Sequence, residues 1–266
     1  MAMKRILFVL ADLVLLNAQQ CTEIPNPGSL KQIDAGNGLV VGLEPTGNAF
    51  MLNGDDWLYL AGDMKHVTVG PNGLWMTGNN GNLYRMIGGN LEKIEAFICW
   101  CGEKISDPSI RLMLGGEHFM AGVTPESESM CLSSSELFNL KVNSSVSWSP
   151  VHNLVDYYSC GKKGCWGITT DHSLVFRYGI EPERCQGNSW KTISDGYTMV
   201  EVGNDGTAYA VRENGRVYYW DEITDFDAYP KETRFRGIMS KVKHLSYDLG
   251  ILWLITQDDK IMRCQL

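Results

Sequence analysis

The stretch MKHVTVGPNGLWMTGNNGNLYRM, Met64–Met86, decides how the rest of the chain is read. It holds a short apolar alternation, a glycine turn, a second apolar run, a turn rich in Asn and Gly, and a third short run. That order is strand, turn, strand, turn, strand, with no room for a helix. Five further stretches repeat it. They are LKQIDAGNGLVVGLEPTGNAF (Leu30–Phe50), IRLMLGGEHFMAGVTPESESM (Ile110–Met130) and VDYYSCGKKGCWGITTDHSLVFRY (Val155–Tyr178), followed by TMVEVGNDGTAYAVRENGRVYYW (Thr198–Trp220) and VKHLSYDLGILWLITQDDKIMRC (Val242–Cys264). The first strands close at Gly36, Gly70, Gly115, Gly161, Gly203 and Asp248, which spaces the copies by 34, 45, 46, 42 and 45 residues.

A three- or four-stranded antiparallel unit has two faces and two open edges, so it is not stable alone. Stacking such units buries the faces, and closing the array into a ring leaves no uncapped unit. A period of about 40–45 residues with four strands per unit marks a β-propeller blade. The fourth strands are expected at Trp57–Leu60, Leu91–Ile94, Trp148–Val151, Trp190–Ile193 and Phe235–Ile238. No such run follows the sixth copy before Leu266, and Cys21–Ile24 is available to supply it. The sequence thus predicts an all-β, six-bladed β-propeller closed by its N-terminal strand. Five blades with a divergent insert is the alternative, because the third copy matches the pattern least well.

The chain has 266 residues, 44% of them apolar, enough to bury one large core. Its first 20 residues stand apart. MAMKRILFVLADLVLLNAQQ carries Lys4 and Arg5, an apolar run from Ile6 to Leu16, then small and polar residues. This reads as a secretory signal peptide over residues 1–20, leaving a single propeller domain over 21–266 and a secreted, extracellular protein. No later stretch is long and apolar enough to span a bilayer, so membrane insertion is not expected. The net charge of −8 and the lack of a basic run argue against nucleic acid as a partner.

Eight cysteines follow the signal: Cys21, Cys99, Cys101, Cys131, Cys160, Cys165, Cys185 and Cys264. An even number in a secreted chain favours disulfides. If the N-terminal strand completes the last blade, Cys21 and Cys264 become neighbours and a bond between them clamps the closure. Cys160 and Cys165 bracket the turn GKKG and suit a local bridge. Cys131 and Cys185 follow strands of adjacent repeats and suit a bond between blades. Cys99 and Cys101 leave three outcomes open: pairing elsewhere, bonding to another subunit of a homo-oligomer, or displacing one of these pairings. Their spacing is not that of a zinc site, and no metal site is expected from the cysteines. Asn143–Ser144–Ser145 is a glycosylation sequon in a polar stretch where an exposed loop is expected. Insertions at Cys99–Ser109, Ser133–Ser147, Gly179–Ser189 and Asp221–Arg234 are longer than hairpins need, and are expected to project from one rim.

GSLKQIDAG (Gly28–Gly36), MKHVTVGPNGLW (Met64–Trp75), YYSCGKKGCWG (Tyr157–Gly167) and KVKHLSYDLGILWLI (Lys241–Ile255) resemble the tectonin repeats of fish egg lectins. The likeness covers essentially the whole chain after residue 20, including both end cysteines. It implies a secreted, disulfide-stabilised propeller that binds N-acetylated sugars such as N-acetylglucosamine. Wider relatives bind bacterial lipopolysaccharide and other bacterial surface glycans in innate defence, and calcium is associated with some members. The family's second strand usually ends Gly-Val-Asn. Here the matching triplets end at Glu44, Gly78, Thr124, Thr169, Arg212 and Thr256, so that Asn is absent from all six. If the amide shapes the sugar pockets as well as a turn, specificity has drifted or binding has been lost.

A non-catalytic binder is expected, since there is no G-x-S-x-G, no H-E-x-x-H and no glycine-rich phosphate loop. Acidic pairs such as Asp55–Asp56 and Asp258–Asp259 tend to diverge on a strand or turn. A protein-interaction propeller without sugar binding is the alternative. Trp75, Trp166 and Trp253 recur at corresponding strands and read as wedges between blades. Trp57 and Trp190 start outer strands, where an exposed ring face could pack against a sugar. Asn79 and Asn80 lie in a hairpin turn, where amides either build the turn or bond sugar hydroxyls. These four are the candidate carbohydrate contacts. His66 and His244 hold the same place in two copies, which points to a shared structural hydrogen bond rather than catalysis, with a repeated ligand contact as the alternative.

Overall fold

The structure, a computed structural model, describes residues 20–94, 99–100, 103–104, 111–115, 119–140, 148–162, 164–220 and 240–266. Residues 1–19 of the proposed signal peptide, Asn143, Cys101 and the expected strand at Phe235–Ile238 lie outside those residues, as does the side chain of Cys99.

Every repeat folds as its pattern dictates. After β1 (Gln20–Ile24), the first copy forms β2 (Gln32–Gly36), β3 (Leu39–Leu43), β4 (Ala49–Asn53) and β5 (Asp56–Ala61). The second forms β6 (Met64–Gly70), β7 (Gly73–Gly78), β8 (Leu83–Ile87) and β9 (Asn90–Ile94). A short ribbon, β10 (Cys99–Trp100) and β11 (Glu103–Lys104), precedes β12 (Arg111–Gly115), β13 (Phe119–Val123) and β14 (Glu128–Leu132). Helix α1 (Ser134–Phe138) leads to β15 (Ser149–Gly161), β16 (Gly164–Thr169), β17 (Ser173–Tyr178) and β18 (Ser189–Asp195). The last two copies supply β19 (Tyr197–Val202), β20 (Ala208–Arg212), β21 (Val217–Trp220), β22 (Val242–Asp248), β23 (Ile251–Thr256) and β24 (Ile261–Gln265). Among the described residues no helix is long and apolar enough to cross a membrane.

The molecule is an all-β propeller, but the expectation of six four-stranded blades is not met. Five sheets surround the axis: β2–β5, β6–β9, the seven-stranded β12–β18, β19–β21, and β22–β23–β24–β1. The third and fourth copies share the seven-stranded sheet because nothing breaks the chain between them. The expected outer strand at Trp148–Val151 has no glycine turn after it and runs on as the 13-residue β15. Ser149, Pro150 and Leu154 pair with β14, whereas Val155 to Gly161 pair with β16. His152, at φ 58°, and a register shift opposite Glu128–Met130 absorb the change of direction.

The first strands of the copies are neighbours in order: β2 with β6, β6 with β12, β12 with β15, β15 with β19, β19 with β22, and β22 with β2. Apolar side chains of these strands and of the second strands interdigitate between copies. Val41, Leu43, Val67, Val69 and Met76 join the first to the second. Trp75, Leu83, Met120 and Trp148 join the second to the third. Trp166, Tyr197, Trp220 and Leu245 join the fourth, fifth and sixth. Ile24, Ile33, Val40, Trp253 and Ile261 join the last sheet to the first. Trp75, Trp166 and Trp253, at 0%, 1% and 5% exposure, are the expected wedges. Each fills a space that only a large ring closes.

Three disulfides follow the expected pairings. Cys21–Cys264 joins the paired strands β1 and β24, in register from Gln20↔Gln265 to Ile24↔Ile261. Cys160–Cys165 crosses the β15–β16 hairpin. Cys131–Cys185 ties β14 to the loop after β17. The same loop receives the helix that the repeat pattern did not predict: Ser134 N donates to Pro182 O at 2.9 Å. Two of the insertions therefore brace each other.

Candidate functional site

The turn between second and third strands is where the family's Asn is missing, and it is nevertheless uniform. The residue four places after the last of the triplet supplies its carbonyl to close the turn. Glu44 N donates to Asn48 O, Gly78 N to Asn82 O, Thr124 N to Glu128 O, Arg212 N to Arg216 O and Thr256 N to Lys260 O, all at 2.9–3.0 Å. The residue three places on has a left-handed backbone in every copy: Gly47, Gly81, Ser127, His172, Gly215 and Asp259. Side chains other than Asn take over the closing bond. Thr124, Thr169 and Thr256 each accept a backbone N–H four residues on through Oγ1, at 3.0–3.2 Å. Glu44 accepts Asn48 Nδ2 at 2.8 Å. A hydroxyl or carboxylate oxygen can do this work as well as an amide oxygen.

These turns also join neighbouring copies. Gly47 O accepts Met64 N, Ser127 O accepts Val155 N, His172 O accepts Tyr197 N, and Gly215 O accepts Val242 N, at 2.7–3.0 Å. The acceptor is in one repeat and the donor begins the next.

The four predicted sugar contacts lie in three different places. Trp57 is the second residue of β5, half-buried against the cluster of Leu30 and Ile33, and its Nε1 donates to Pro25 O at 2.8 Å. Trp190 is the second residue of β18, half-buried, with Tyr158 at 5.4 Å between ring centroids and the Arg177 guanidinium 5.3 Å from its own centroid. Both rings are therefore more enclosed than their outer-strand position suggested. Asn79 and Asn80 are exposed in the β7–β8 turn. Asn79 Nδ2 donates to Asp63 Oδ1 at 2.9 Å. Asn80 Oδ1 accepts Asn82 N at 3.0 Å, and its Nδ2 reaches the Tyr84 hydroxyl at 3.3 Å. A Cβ on Gly78 would meet Asn80 Oδ1 at 2.6 Å, so glycine is what lets this amide and the Tyr84 ring sit together.

A second region was not singled out from the sequence: the axis. Among the described residues, positions two and four before the ends of the first strands supply its lining. They hold Gln32 and Asp34, His66 and Thr68, Tyr157, Glu201, and His244 and Ser246. Two of these residues are carboxylic acids, both buried. Asp34 accepts Val69 N, Ala35 N and the Ser246 hydroxyl, each at 2.9 Å, and so bridges β6 and β22. Glu201 accepts the Ser159 hydroxyl at 2.8 Å and the Tyr157 hydroxyl, both from β15. Burial raises Asp34 to about 6 against the opposing pull of its four donors, which include Thr68. Burial and then the Asp34 charge raise Glu201 to about 8. Asp248 adds another brace, accepting Gly38 N at 2.8 Å and Asn204 Nδ2 at 3.1 Å.

The axial channel narrows from a mouth to a throat. The mouth is a cavity of about 300 Å³ lined by Lys31, Gln32, Lys65, His66, Tyr157 and His244. The throat, with about 20 Å³ of free space, is flanked by Asp34, Thr68, Glu201 and Ser246, and Gln32 and His66 line both. Gln32 Nε2 lies 3.2 Å from His66 Nε2 and donates to Val67 O at 2.7 Å. The equivalent His244 has its Nε2 3.5 Å from the Tyr157 hydroxyl. The shared histidine position thus takes a hydrogen-bonding role with a different partner in each copy. Its repetition was visible in the sequence; that of the carboxylates was masked, because the same position, two residues before the strand end, holds Asp34 in the first copy and Glu201 in the fifth. Among the described residues no group of three or more His, Cys, Asp or Glu is placed to hold a metal.

Fold and site together describe a β-propeller: repeated, cross-braced copies around a polar axis, with exposed amides beside a tyrosine at the β7–β8 turn. The family model of the Tectonin domain matches residues 29–257, and the chain belongs to that family. It is 30% identical to the fish-egg lectin of Cyprinus carpio over 156 residues, which are 57% of this chain and 64% of the lectin. The chain therefore spans just under two thirds of that relative. Among solved structures it resembles catalytically inactive virginiamycin B lyase from Staphylococcus aureus with quinupristin (TM-score 0.58, 12% identity, 91% of this chain and 83% of that one). YCF48 from Cyanidioschyzon merolae is similar as well (TM-score 0.53, 14% identity, 87% and 80%). At such identities these two likenesses bear on the fold alone.

Proposed function

We propose that the protein is a secreted, non-catalytic lectin for N-acetylated sugars such as N-acetylglucosamine, including those of bacterial surface glycans and lipopolysaccharide, with a role in innate defence. The observation that carries the reading is membership of the Tectonin family together with the identity to a fish-egg lectin. Three disulfides support an extracellular setting, because such bonds persist in oxidising compartments. In this reading residues 1–20 are removed as a signal peptide, Asn143 carries a glycan, and pairing of β1 with β24 closes the ring.

The proposed contacts are Trp57, Asn79, Asn80 and Trp190. Asn80 has the strongest support, since its amide is exposed beside the Tyr84 hydroxyl and offers a sugar a polar edge next to an aromatic ring. Similar turns recur around the ring, so weak single sites gain strength when several engage one glycan-coated surface, in a monomer or a homo-oligomer. A glycan array probed with the secreted protein, with and without calcium, tests this. Selective signal on GlcNAc-terminated glycans, competed by free sugar, is expected. Silence across the array at high protein density would sink the lectin reading and favour a protein-interaction propeller.

A further inference from the structure

We propose that Asn53 is a covalent modification site, where the side-chain amide is lost to attack by the peptide nitrogen of Gly54 and replaced by a carboxylate. The reaction favours Asn-Gly pairs, because glycine, having no Cβ, lets its peptide plane swing onto the side-chain carbonyl carbon. The chain has five such pairs: Asn37–Gly38, Asn53–Gly54, Asn72–Gly73, Asn80–Gly81 and Asn214–Gly215. Their sequences alone do not rank them. The fold does, because attack needs a carboxamide free to turn and a peptide N–H free to lose its proton.

Four of the pairs are held. Asn37 Nδ2 donates to Gly70 O at 3.0 Å, and Gly38 N donates to Asp248 Oδ2 at 2.8 Å. Asn72 has its Nδ2 buried, and Gly73 pairs with Gly70 across the β6–β7 hairpin. Asn80 Oδ1 accepts Asn82 N at 3.0 Å while Gly81 N donates to Gly78 O at 2.9 Å. Asn214 Oδ1 accepts Arg216 N at 3.0 Å while Gly215 N donates to Arg212 O at 2.7 Å. Asn53 differs on each count. It is exposed at the end of β4 and faces Asp56 across a turn whose central residues are Gly54 and Asp55. Gly54 takes φ 67°, and a Cβ there would meet nothing within 4 Å, so the turn is open on that side. As the first central residue of a two-residue hairpin, Gly54 has no place for its N–H in the ladder. Among the described residues no hydrogen bond holds that N–H or the Asn53 carboxamide.

Hydroxide removes the Gly54 N–H proton, and the nitrogen attacks Asn53 Cγ. The new C–N bond forms as the Cγ–Nδ2 bond breaks, and Nδ2 leaves as ammonia with a proton from water. One water then opens the cyclic imide at either carbonyl, giving aspartate or, with the chain rerouted through the side chain, isoaspartate. Water enters and ammonia leaves, so nothing is oxidised or reduced. The product adds a third carboxylate beside Asp55 and Asp56 at the head of β5, the strand that carries Trp57. Isoaspartate also lengthens the backbone, which breaks the register of this residue with Asp56.

The test is peptide mapping by mass spectrometry of the intact, disulfide-bonded protein after incubation at mildly alkaline pH, with fragmentation that separates aspartate from isoaspartate. Product should accumulate at Asn53 about tenfold faster than at Asn80 or Asn214, where a hydrogen bond must first break. Isoaspartate should appear together with aspartate, as ring opening requires, and the rate should rise with pH as hydroxide does. Protein reduced and unfolded in denaturant is the reference, and there the five pairs should react at similar rates. Asn53→Gln should remove the early product and leave the other four sites as slow as before. Equal rates at Asn53, Asn80 and Asn214 in the folded protein would overturn the proposal. So would a lead for Asn53 that persists unchanged in the unfolded chain, since the fold would then not be its cause.

Discussion

The axis and the outer turns of this molecule use polar side chains in opposite ways. At the axis Asp34 and Glu201 are buried, and their partners belong to other repeats: Val69 and Ser246 for one, Tyr157 and Ser159 for the other. At the β7–β8 turn Asn79 and Asn80 are exposed, and their partners are local: Asn82 and Tyr84 in the same repeat, and Asp63 in the connection that leads into it. A buried group bonded across repeats holds the ring together, and its loss leaves donors stranded without water. An exposed group bonded within one repeat costs little to exchange for a ligand. Stability should therefore reside at the axis and the strand seams, and recognition at the turns.

The largest effect is expected where sequence separation is greatest. Opening Cys21–Cys264, separated by 243 residues, should cost about 5 kcal/mol in the chain-entropy description, against about 2 for Cys160–Cys165, separated by 5. Denaturant unfolding of Cys21→Ser with Cys264→Ser, beside Cys160→Ser with Cys165→Ser, measures the difference. Equal losses would mean that the β1–β24 pairing adds no closure.

Asp34→Ala should come next, at about 2–5 kcal/mol, since it removes the buried acceptor of the Val69 N–H and the Ser246 hydroxyl. Asn80→Ala removes only an exposed turn bond and should change stability by less than about 1 kcal/mol. A similar cost for both would erase the contrast between axis and turn.

The axis should also set the pH dependence. Both folded acids sit above their unfolded values, Asp34 at about 6 against 3.8 and Glu201 at about 8 against 4.5. The folded state therefore binds more protons than the unfolded one between those limits, and stability falls as pH rises from about 4 to about 8. The exposed Asp171, Asp258 and Asp259 act in the other direction. Hydrogen bonds to Thr169, Thr256 and Lys243 lower them, so their contribution is lost only as pH falls below the ordinary Asp range. Thermal unfolding should show a midpoint that declines toward pH 8. Glu201→Gln should flatten the upper half of that decline, and an unchanged slope would place the titration elsewhere.

The repeats and their strands were legible because apolar alternation and glycine turns are local signals. The three disulfides followed once β1 was placed beside β24. The fusion of two copies through β15 was not legible, since the continuity of a strand depends on His152 adopting a left-handed backbone that no local pattern announces. The axial acids escaped notice for a related reason. Asp34 and Glu201 share one inward position in two copies but differ in residue type, and only the ring brings those strands around one channel. The enclosure of Trp190 comes from Arg177 and Tyr158, neither of them adjacent to it in sequence.

The central claim is that the turns recognise N-acetylated sugar while the axis holds the ring. Binding to immobilised N-acetylglucosamine and thermal unfolding, measured together on Asn80→Ala and Glu201→Gln, test it most directly. Asn80→Ala should lose about tenfold in binding with its unfolding midpoint nearly intact, the worth of one hydrogen bond left unmade. Glu201→Gln should bind as the natural protein does and differ only in its pH response. Sugar binding abolished by Glu201→Gln and untouched by Asn80→Ala would contradict the account.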